Sequence, residues 1–350
     1  MKEYVQFHSR RAVKCMVLLI WCISFVLFSC EDNPVEDKPD YRLQNKFNAE
    51  FNTKILNDFF VYSIAFDKTG NTWIGTFKQG IIKCNATDTI LFNAANSGIP
   101  DSMVIYDIEV DSKNNIWFGC NGLLKYDGAS FTYYTNENSP IPENFVYDIE
   151  IDSKDNIWFS SSRAYKGGLV KYDGKNWTIF TPDNSLLPAN AVNGIAIDHN
   201  DNVWVEQGVW DVSGNYLVKI SGDDWLVYSD EDFGFEPYFI SDIDVNSKNE
   251  VYAVISYMLS SGSHKGDPNL FVFNGDSTIE ICSSDDLSHI RYITIDNCDN
   301  IWCAASGRFV VKNDSLIRTG YLDDESVFVI EQAPDSKIWI GTGRGIHISN

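Results

Sequence analysis

The sequence predicts an all-β fold, a seven-bladed β-propeller of four-stranded antiparallel blades, from three observations. A short word recurs seven times, alternating apolar residues lead into it, and further strand-like segments follow most copies. The word is clearest in "DSKNNIW" at Asp111 and "DSKDNIW" at Asp152. Looser copies set Asp67 before Trp73, Asp198 before Trp204, Asn246 before Tyr252, Asp296 before Trp302 and Ala333 before Trp339, the aromatic always six residues on. Successive copies lie 44, 41, 46, 48, 50 and 37 residues apart, a period typical of propeller blades.

Each element of the unit has its own signal. Before the word, Tyr62, Ile64 and Phe66 alternate with other residues, as do Tyr106, Ile108 and Val110, and Tyr147, Ile149 and Ile151. Period two is a strand. The Asp and the Gly- or Asn-containing residues after it form a tight hairpin turn, because Asp and Asn bond their own backbone and tolerate positive φ. "NIWFG" then runs apolar without alternation, the pattern of a second strand buried on both faces. "GLLKYDG" at Gly122 and "GLVKYDG" at Gly168 supply a third strand, and "FTYYT" at Phe131 and "WTIFT" at Trp177 a fourth. The repeated Asp residues read as turn formers and the Trp residues as core. One blade has two apolar faces and can cover neither alone, whereas a closed ring covers them all. The seventh copy stops at "GRGIHISN" after its third strand, and a spare segment, "QNKFNAEFNTKIL", precedes the first copy. Residues near 45–52 are therefore expected to complete the last blade as an N-terminal strand.

The first residues read as a targeting segment. "MKEYVQFHSRRAVK" is basic, and the apolar run that follows, "CMVLLIWCISFVLFSC", is too short to span a bilayer, which takes roughly 20 residues. It ends in "LFSC", which resembles the bacterial lipobox, although Phe28 is bulkier than the residue usual at that place. The resemblance implies cleavage and lipidation of Cys30. "EDNPVEDKPD" cannot bury a core and reads as a tether. Its acids resemble the surface-export signal of Bacteroidetes lipoproteins. The expected organisation is a signal peptide over 1–29, an acidic flexible tether over 30–44 and a propeller over 45–350. The expected location is the outer membrane, reached through the lipid, at the cell surface or the periplasmic face.

The formal charge of −22 argues against nucleic acid as a partner. Beyond Cys15, Cys22 and Cys30, the cysteines are Cys84, Cys120, Cys282, Cys298 and Cys303, an odd number that leaves at least one thiol outside any internal pairing.

Two groups of residues are candidates for function. In a propeller the second-to-third strand connections share a face with the blade-to-blade connections. Three of them are long here, "SSSRAYKGG", "EQGVWDVSGN" and "SYMLSSGSHKGDPN", and carry Arg163, Tyr165, Lys166, Trp210, Asp211, Tyr257, His264 and Lys265. Aromatic faces with a few polar groups suit sugar rings. The second group is acidic: Asp107, Glu109, Asp148, Glu150, Asp242, Asp244 and Glu331 sit between the apolar positions of the innermost strands. Converging in the channel, they would either hold a cation such as Ca²⁺ or, crowded, keep raised pKa values; solvated charges in a wet channel are the plainer alternative. No cofactor is otherwise implied. No nucleophile elbow, zinc-protease helix or phosphate loop is present, which leans against catalysis.

"NTWIGT" at Asn71, "KIWIGTGRGIHIS" at Lys337 and "GLLKYDG" resemble the two-component regulator propeller repeat. That family forms the periplasmic sensor region of hybrid two-component systems in Bacteroidetes, where glycan fragments are typical signals. Such sensors usually carry two propellers, a further β domain, a membrane helix, a kinase and a DNA-binding output. The resemblance here covers one propeller, so it implies an input module and no kinase activity. The expected function is a lipid-anchored, non-catalytic binding module for glycan fragments or a protein partner. The alternatives are a polysaccharide lyase or hydrolase, as streptogramin lyases share the seven-bladed architecture, and a structural subunit of an outer-membrane complex.

Overall fold

A computed structural model describes residues 53–349 except 164–165, 209–214, 234–236, 258–268, 274–277, 283–289, 291, 306–307, 314 and 322–325. The signal segment, Cys30 and the tether lie outside the described residues. Among those described, 28 strands form seven four-stranded antiparallel sheets. Blades 1 to 6 are continuous stretches, 61–92, 107–134, 149–180, 192–228, 237–282 and 292–321. Blade 7 takes three strands from 327–348 and its outermost from Thr53–Ile55. The innermost strands of successive blades touch all the way round, the seventh against the first, so the ring is closed. No described helix is long and apolar enough to cross a membrane.

The closing strand lies slightly later than the sequence implied. Thr53 pairs with Ile348 and Ile55 with Ile346, while 45–52 falls outside the described residues. The register follows from Ile55, which packs on the apolar cluster of Val61, Ile74 and Ile346 at the seam between blades 7 and 1.

The recurring word now has a physical account. In the copies led by Asp67, Asp111, Asp152, Asp198 and Asp296, one carboxylate oxygen accepts the backbone N–H groups two and four residues on. The other accepts the indole N–H of the Trp six residues on, at 3.0, 3.2, 3.1, 3.3 and 3.0 Å. The carboxylate thus closes the turn and satisfies the one polar atom of a buried Trp, which would otherwise cost about 1–3 kcal/mol. The third residue after the Asp takes positive φ in every copy: 83° at Gly70, 64° at Asn114, 62° at Asp155, 61° at Asp201, 61° at Asn249, 62° at Asp299 and 68° at Ser336. Lys125 and Lys171 of the "KYDG" words lay their ammonium groups 5.1 and 4.7 Å from the Trp117 and Trp158 ring centroids. Gly119 lies where blade 3 approaches closest, because a Cβ there would stand 2.9 Å from the Val146 carbonyl oxygen.

The word also joins blades. The residue after the Asp donates its backbone N–H to the side chain three residues after the Asp of the next blade. Lys68 bonds Asn114 at 2.8 Å, Ser112 bonds Asp155 at 2.9 Å, Ser153 bonds Asp201 at 2.9 Å, His199 bonds Asn249 at 2.8 Å and Ser247 bonds Asp299 at 2.9 Å. Between blades 6 and 7, Asn297 bonds Gln332 instead, at 2.8 Å. Between blades 7 and 1 the equivalent residues are Pro334, which has no N–H, and Gly70, which has no side chain. The shared strand takes over the joining role there.

Replacing Asp155 by Ala removes two hydrogen bonds from Ser112, and a stability loss of about 1–2 kcal/mol is expected in urea unfolding. Asp155→Asn keeps an acceptor and tolerates the positive φ, as Asn114 does, and is expected to retain most of the stability. A chain beginning at Leu56 lacks the closing strand and is expected to lose the cooperative unfolding transition of the chain beginning at Tyr41.

Candidate functional site: the channel mouth

Antiparallel pairing of Val61 with Thr76 brings the start of an innermost strand and the end of a second strand to one face. On that face, rings from four consecutive blades form one arc. Phe328 of blade 7 lies 4.6 Å from Phe60 and 4.8 Å from Tyr62 of blade 1. Tyr62 continues to Phe77 at 5.9 Å and to Tyr106 of blade 2 at 6.0 Å. Tyr106 reaches Phe145 at 5.0 Å and Tyr147 at 5.5 Å, both of blade 3. These separations are ordinary for stacked and tilted aromatic pairs. The arc is not core: Phe77 is 39% and Tyr147 38% exposed.

The other side of the mouth is polar. Where blades 7, 1, 2 and 3 place Phe328, Tyr62, Tyr106 and Tyr147, blades 4 and 5 place Asn193 and Ser241. Arg291, the equivalent in blade 6, is outside the described residues. The hydroxyls of Tyr147 and Tyr292 hydrogen-bond across the opening, from blade 3 to blade 6.

Beneath the rings stand the predicted carboxylates, in two tiers. Asp107, Asp148 and Asp242 lie four residues before the repeat's lead position, and Glu109, Glu150, Asp244 and Glu331 two residues before it. They are not freely solvated charges. Asp107 accepts the N–H of Ile149 at 2.8 Å, Asp148 that of Ile195 at 2.5 Å, Asp242 that of Ile293 at 2.7 Å and Asp244 that of Ile295 at 2.7 Å. In each case an acid of one blade satisfies an edge N–H of the next, which a propeller's innermost strand otherwise leaves unpaired.

Burial dominates the electrostatics and raises every one of these groups. Asp242 is pushed up to about 8, with Asp244 adding repulsion, and Asp244 to about 6 against two backbone hydrogen bonds that favour its charge. Asp107 and Asp148 hydrogen-bond each other, and burial and then the Asp107 charge hold Asp148 well above the usual carboxylate range. Burial and the Glu109 charge do the same to Glu150, and burial and the charges of Glu109 and Asp244 to Glu331. Among the described residues no three such groups are arranged to hold a metal ion, so the structure assembles no Ca²⁺ site from them.

Glu206 was not evident as a site residue. It occupies the place in the second strand held by Gly75, Gly119 and Gly341 in other copies. It is 2% exposed, accepts a hydrogen bond from Asn193 at 3.2 Å and faces Asp242 and Tyr147. Gly194 makes room for it, since a Cβ there would lie 2.8 Å from its carboxylate. Burial holds Glu206 well above its usual pKa. The signal for it was the departure of "VWVEQ" from "IWFGC". The rim was signalled by an aromatic five residues before the lead position in copies seven, one, two and three, which alternation alone assigned to packing.

Of the loop residues, Arg163 and Lys166 are described and exposed, paired at the tip of a blade 3 hairpin on the mouth face. Arg163 lies near enough to act on Tyr106. Tyr165, Trp210, Asp211, His264 and Lys265, and the side chain of Tyr257, lie outside the described residues. Cys84, Cys120 and Cys298 form no disulfide.

Fold and mouth together define a β-propeller with a chemically built central opening. The family model described as two component regulator propeller matches residues 54–78, 98–122 and 140–163. These three stretches match that repeat. The extracellular domain of a one component system from B. thetaiotaomicron, BT4673, is 16% identical over 83% of this chain and 40% of its own, with a TM-score of 0.66. YCF48 bound to D1 peptide is 10% identical over 85% of this chain and 93% of its own, TM-score 0.61. Virginiamycin B lyase from Staphylococcus aureus is 14% identical over 85% and 97%, TM-score 0.60. These likenesses show the fold. The chain spans about two fifths of the sensor domain's length. No curated protein matches the sequence.

A carboxyl whose pKa is raised on folding binds more protons folded than unfolded between its two pKa values, so stability falls as pH rises through that interval. For Asp244 and Asp242 the interval runs from near 4 to about 6 and about 8. Asp67 does not oppose this: burial works against its charge, but hydrogen bonds from Asn71, Trp73 and Thr69 hold it down at about 2. The thermal midpoint is therefore expected to fall between pH 5 and pH 8.5 by calorimetry. Asp242→Asn is expected to flatten that dependence and raise the midpoint at pH 8.5 by about 3 °C.

Proposed function

We propose that this chain is a non-catalytic binding module of the cell envelope, recognising glycan fragments or a protein partner at the channel mouth. The single observation that carries this is the aromatic arc of Phe328, Phe60, Tyr62, Phe77, Tyr106 and Tyr147, half-buried but open at Phe77 and Tyr147, set over polar groups. A rigid ring of aromatic faces and a few polar contacts is the general build of a recognition surface. The hairpin tip of Arg163 and Lys166 borders it, and Trp210, Tyr257 and His264, which lie outside the described residues, are proposed from the sequence as further contacts. Attachment through Cys30 to the outer membrane, at the surface or the periplasmic side, completes the reading. The sensor domains of similar fold support an extracytoplasmic input role, and the peptide-bound propeller of similar fold supports a protein ligand.

The test is a screen of the chain from Tyr41 onward against a glycan array and a peptide library, with hits measured by calorimetry. Phe77→Ala and Tyr147→Ala are expected to weaken a genuine ligand at least tenfold, about 1.4 kcal/mol, without lowering the thermal midpoint by more than a few degrees. Binding unaffected by both substitutions would move the site off the mouth.

A further inference from the structure

Taking the mouth as the binding surface, we propose that it receives an organic cation, an ammonium or guanidinium group carried by a basic peptide, between the aromatic arc and the carboxyls of Glu206, Asp148 and Asp242. Three observations converge on this chemistry.

The first is the arc itself. Aromatic faces attract cations through the ring quadrupole, by about 0.5–2 kcal/mol each according to desolvation. One rim ring already does so, for Lys78 holds its ammonium 4.9 Å from the centroid of Phe77. The second is Glu206. A carboxyl stands where other copies carry only small or apolar residues, Gly75, Gly119, Ser160, Val254, Ala304 and Gly341, and Gly194 yields its side-chain space to it. A buried acid is costly to keep, so its place facing the channel calls for a role that packing does not supply. The third is charge balance. Tyr147, Tyr292, Asp107, Glu109, Asp148, Glu150, Glu206, Asp242, Asp244 and Glu331 face one another across the channel. Among the described residues no Lys or Arg forms an ion pair with these acids, and Arg163 reaches only as far as Tyr106 at the rim. Among the described residues the channel acids meet no cation below the rim, and Arg291, at the blade 6 rim position, is outside the described residues. A cation favours ionisation of these carboxyls, which a neutral sugar does not and an anionic one opposes.

Protonation gives the inference a signature of its own. Burial raises Glu206 and Asp148 and pushes Asp242 up to about 8, so an arriving ammonium stabilises their charged forms and releases protons. A neutral ligand resting on the rings releases none. The experiment is isothermal titration of the chain from Tyr41 with three probes: Gly-Lys-Gly amide, free n-butylamine and a neutral oligosaccharide. Each is run at pH 5.5 and 8 in two buffers of different ionisation enthalpy. The expected result is that the peptide binds about tenfold or more tightly at pH 8 than at pH 5.5, with buffer-dependent heat that reports proton release. Glu206→Gln is expected to remove that pH dependence, and Phe77→Ala to weaken binding at both pH values. Butylamine alone reproducing the peptide's affinity would reduce the ligand to a free amine and overturn the peptide assignment. Peptide binding insensitive to both Glu206→Gln and Phe77→Ala, with unchanged thermal midpoints, would place the cation on the acidic outer surface and overturn the site. Oligosaccharide binding at the mouth with no cation binding would overturn this inference and leave the mouth as binding surface intact. Loss of every ligand at the mouth would remove both.

Discussion

The rest of the structure depends on hydrogen bonds that pass from one blade to the next at the edges of the ring. Packed apolar faces make neighbouring sheets adhere, but adhesion does not set their relative height or rotation. On the turn face that is done by the side chain three residues after each lead position, which binds the neighbour's backbone from Lys68–Asn114 round to Ser247–Asp299. In the channel it is done by Asp107, Asp148, Asp242 and Asp244, each on an amide of the following blade. The two sets grip the same strand near its two ends. A blade so held can neither slide along its neighbour nor tilt against it, and the mouth inherits that rigidity.

The mouth is where the repeat stops being regular. Four blades contribute rings and two contribute Asn193 and Ser241, so the opening has an apolar side and a polar side. Identical blades would give a symmetric pore. Divergence at one position of the repeat, five residues before the lead residue, turns it into a surface with orientation. Glu206 and Gly194 add a second divergence on the polar side, in adjacent strands of blade 4.

How much of this was legible in the sequence follows from which forces act locally. The strands, turns and repeat count were legible because the word is short and its bonds are internal: Asp111 to Asn115 and Trp117 spans six residues. Positions of the channel acids were legible from alternation, but their bonds to Ile149, Ile195, Ile293 and Ile295 were not, because those partners lie in another repeat. The closing strand was placed a few residues early, because a three-residue strand has no periodicity to read and its register is set by contacts of Ile55 with distant residues. The aromatic rim was hidden for a different reason. A Tyr at an alternating position reads the same whether it faces a neighbouring sheet or a solvent-filled opening.

The seam between blades 7 and 1 has a mechanical consequence. Five junctions are tied by the repeat's own side chain and that between blades 6 and 7 by Gln332, whereas here Pro334 and Gly70 supply no such bond, and beside the apolar seam it is the three-residue pairing of Thr53–Ile55 with Ile346–Ile348 that ties the chain ends. The same three residues are the point at which the upstream chain joins the ring. Tension applied from upstream therefore peels the closing strand one residue at a time, starting at Thr53, and meets the ladder as a zipper loaded at its end. The circle's latch and its leash are a single piece of backbone, which makes this joint the mechanical fuse of the molecule.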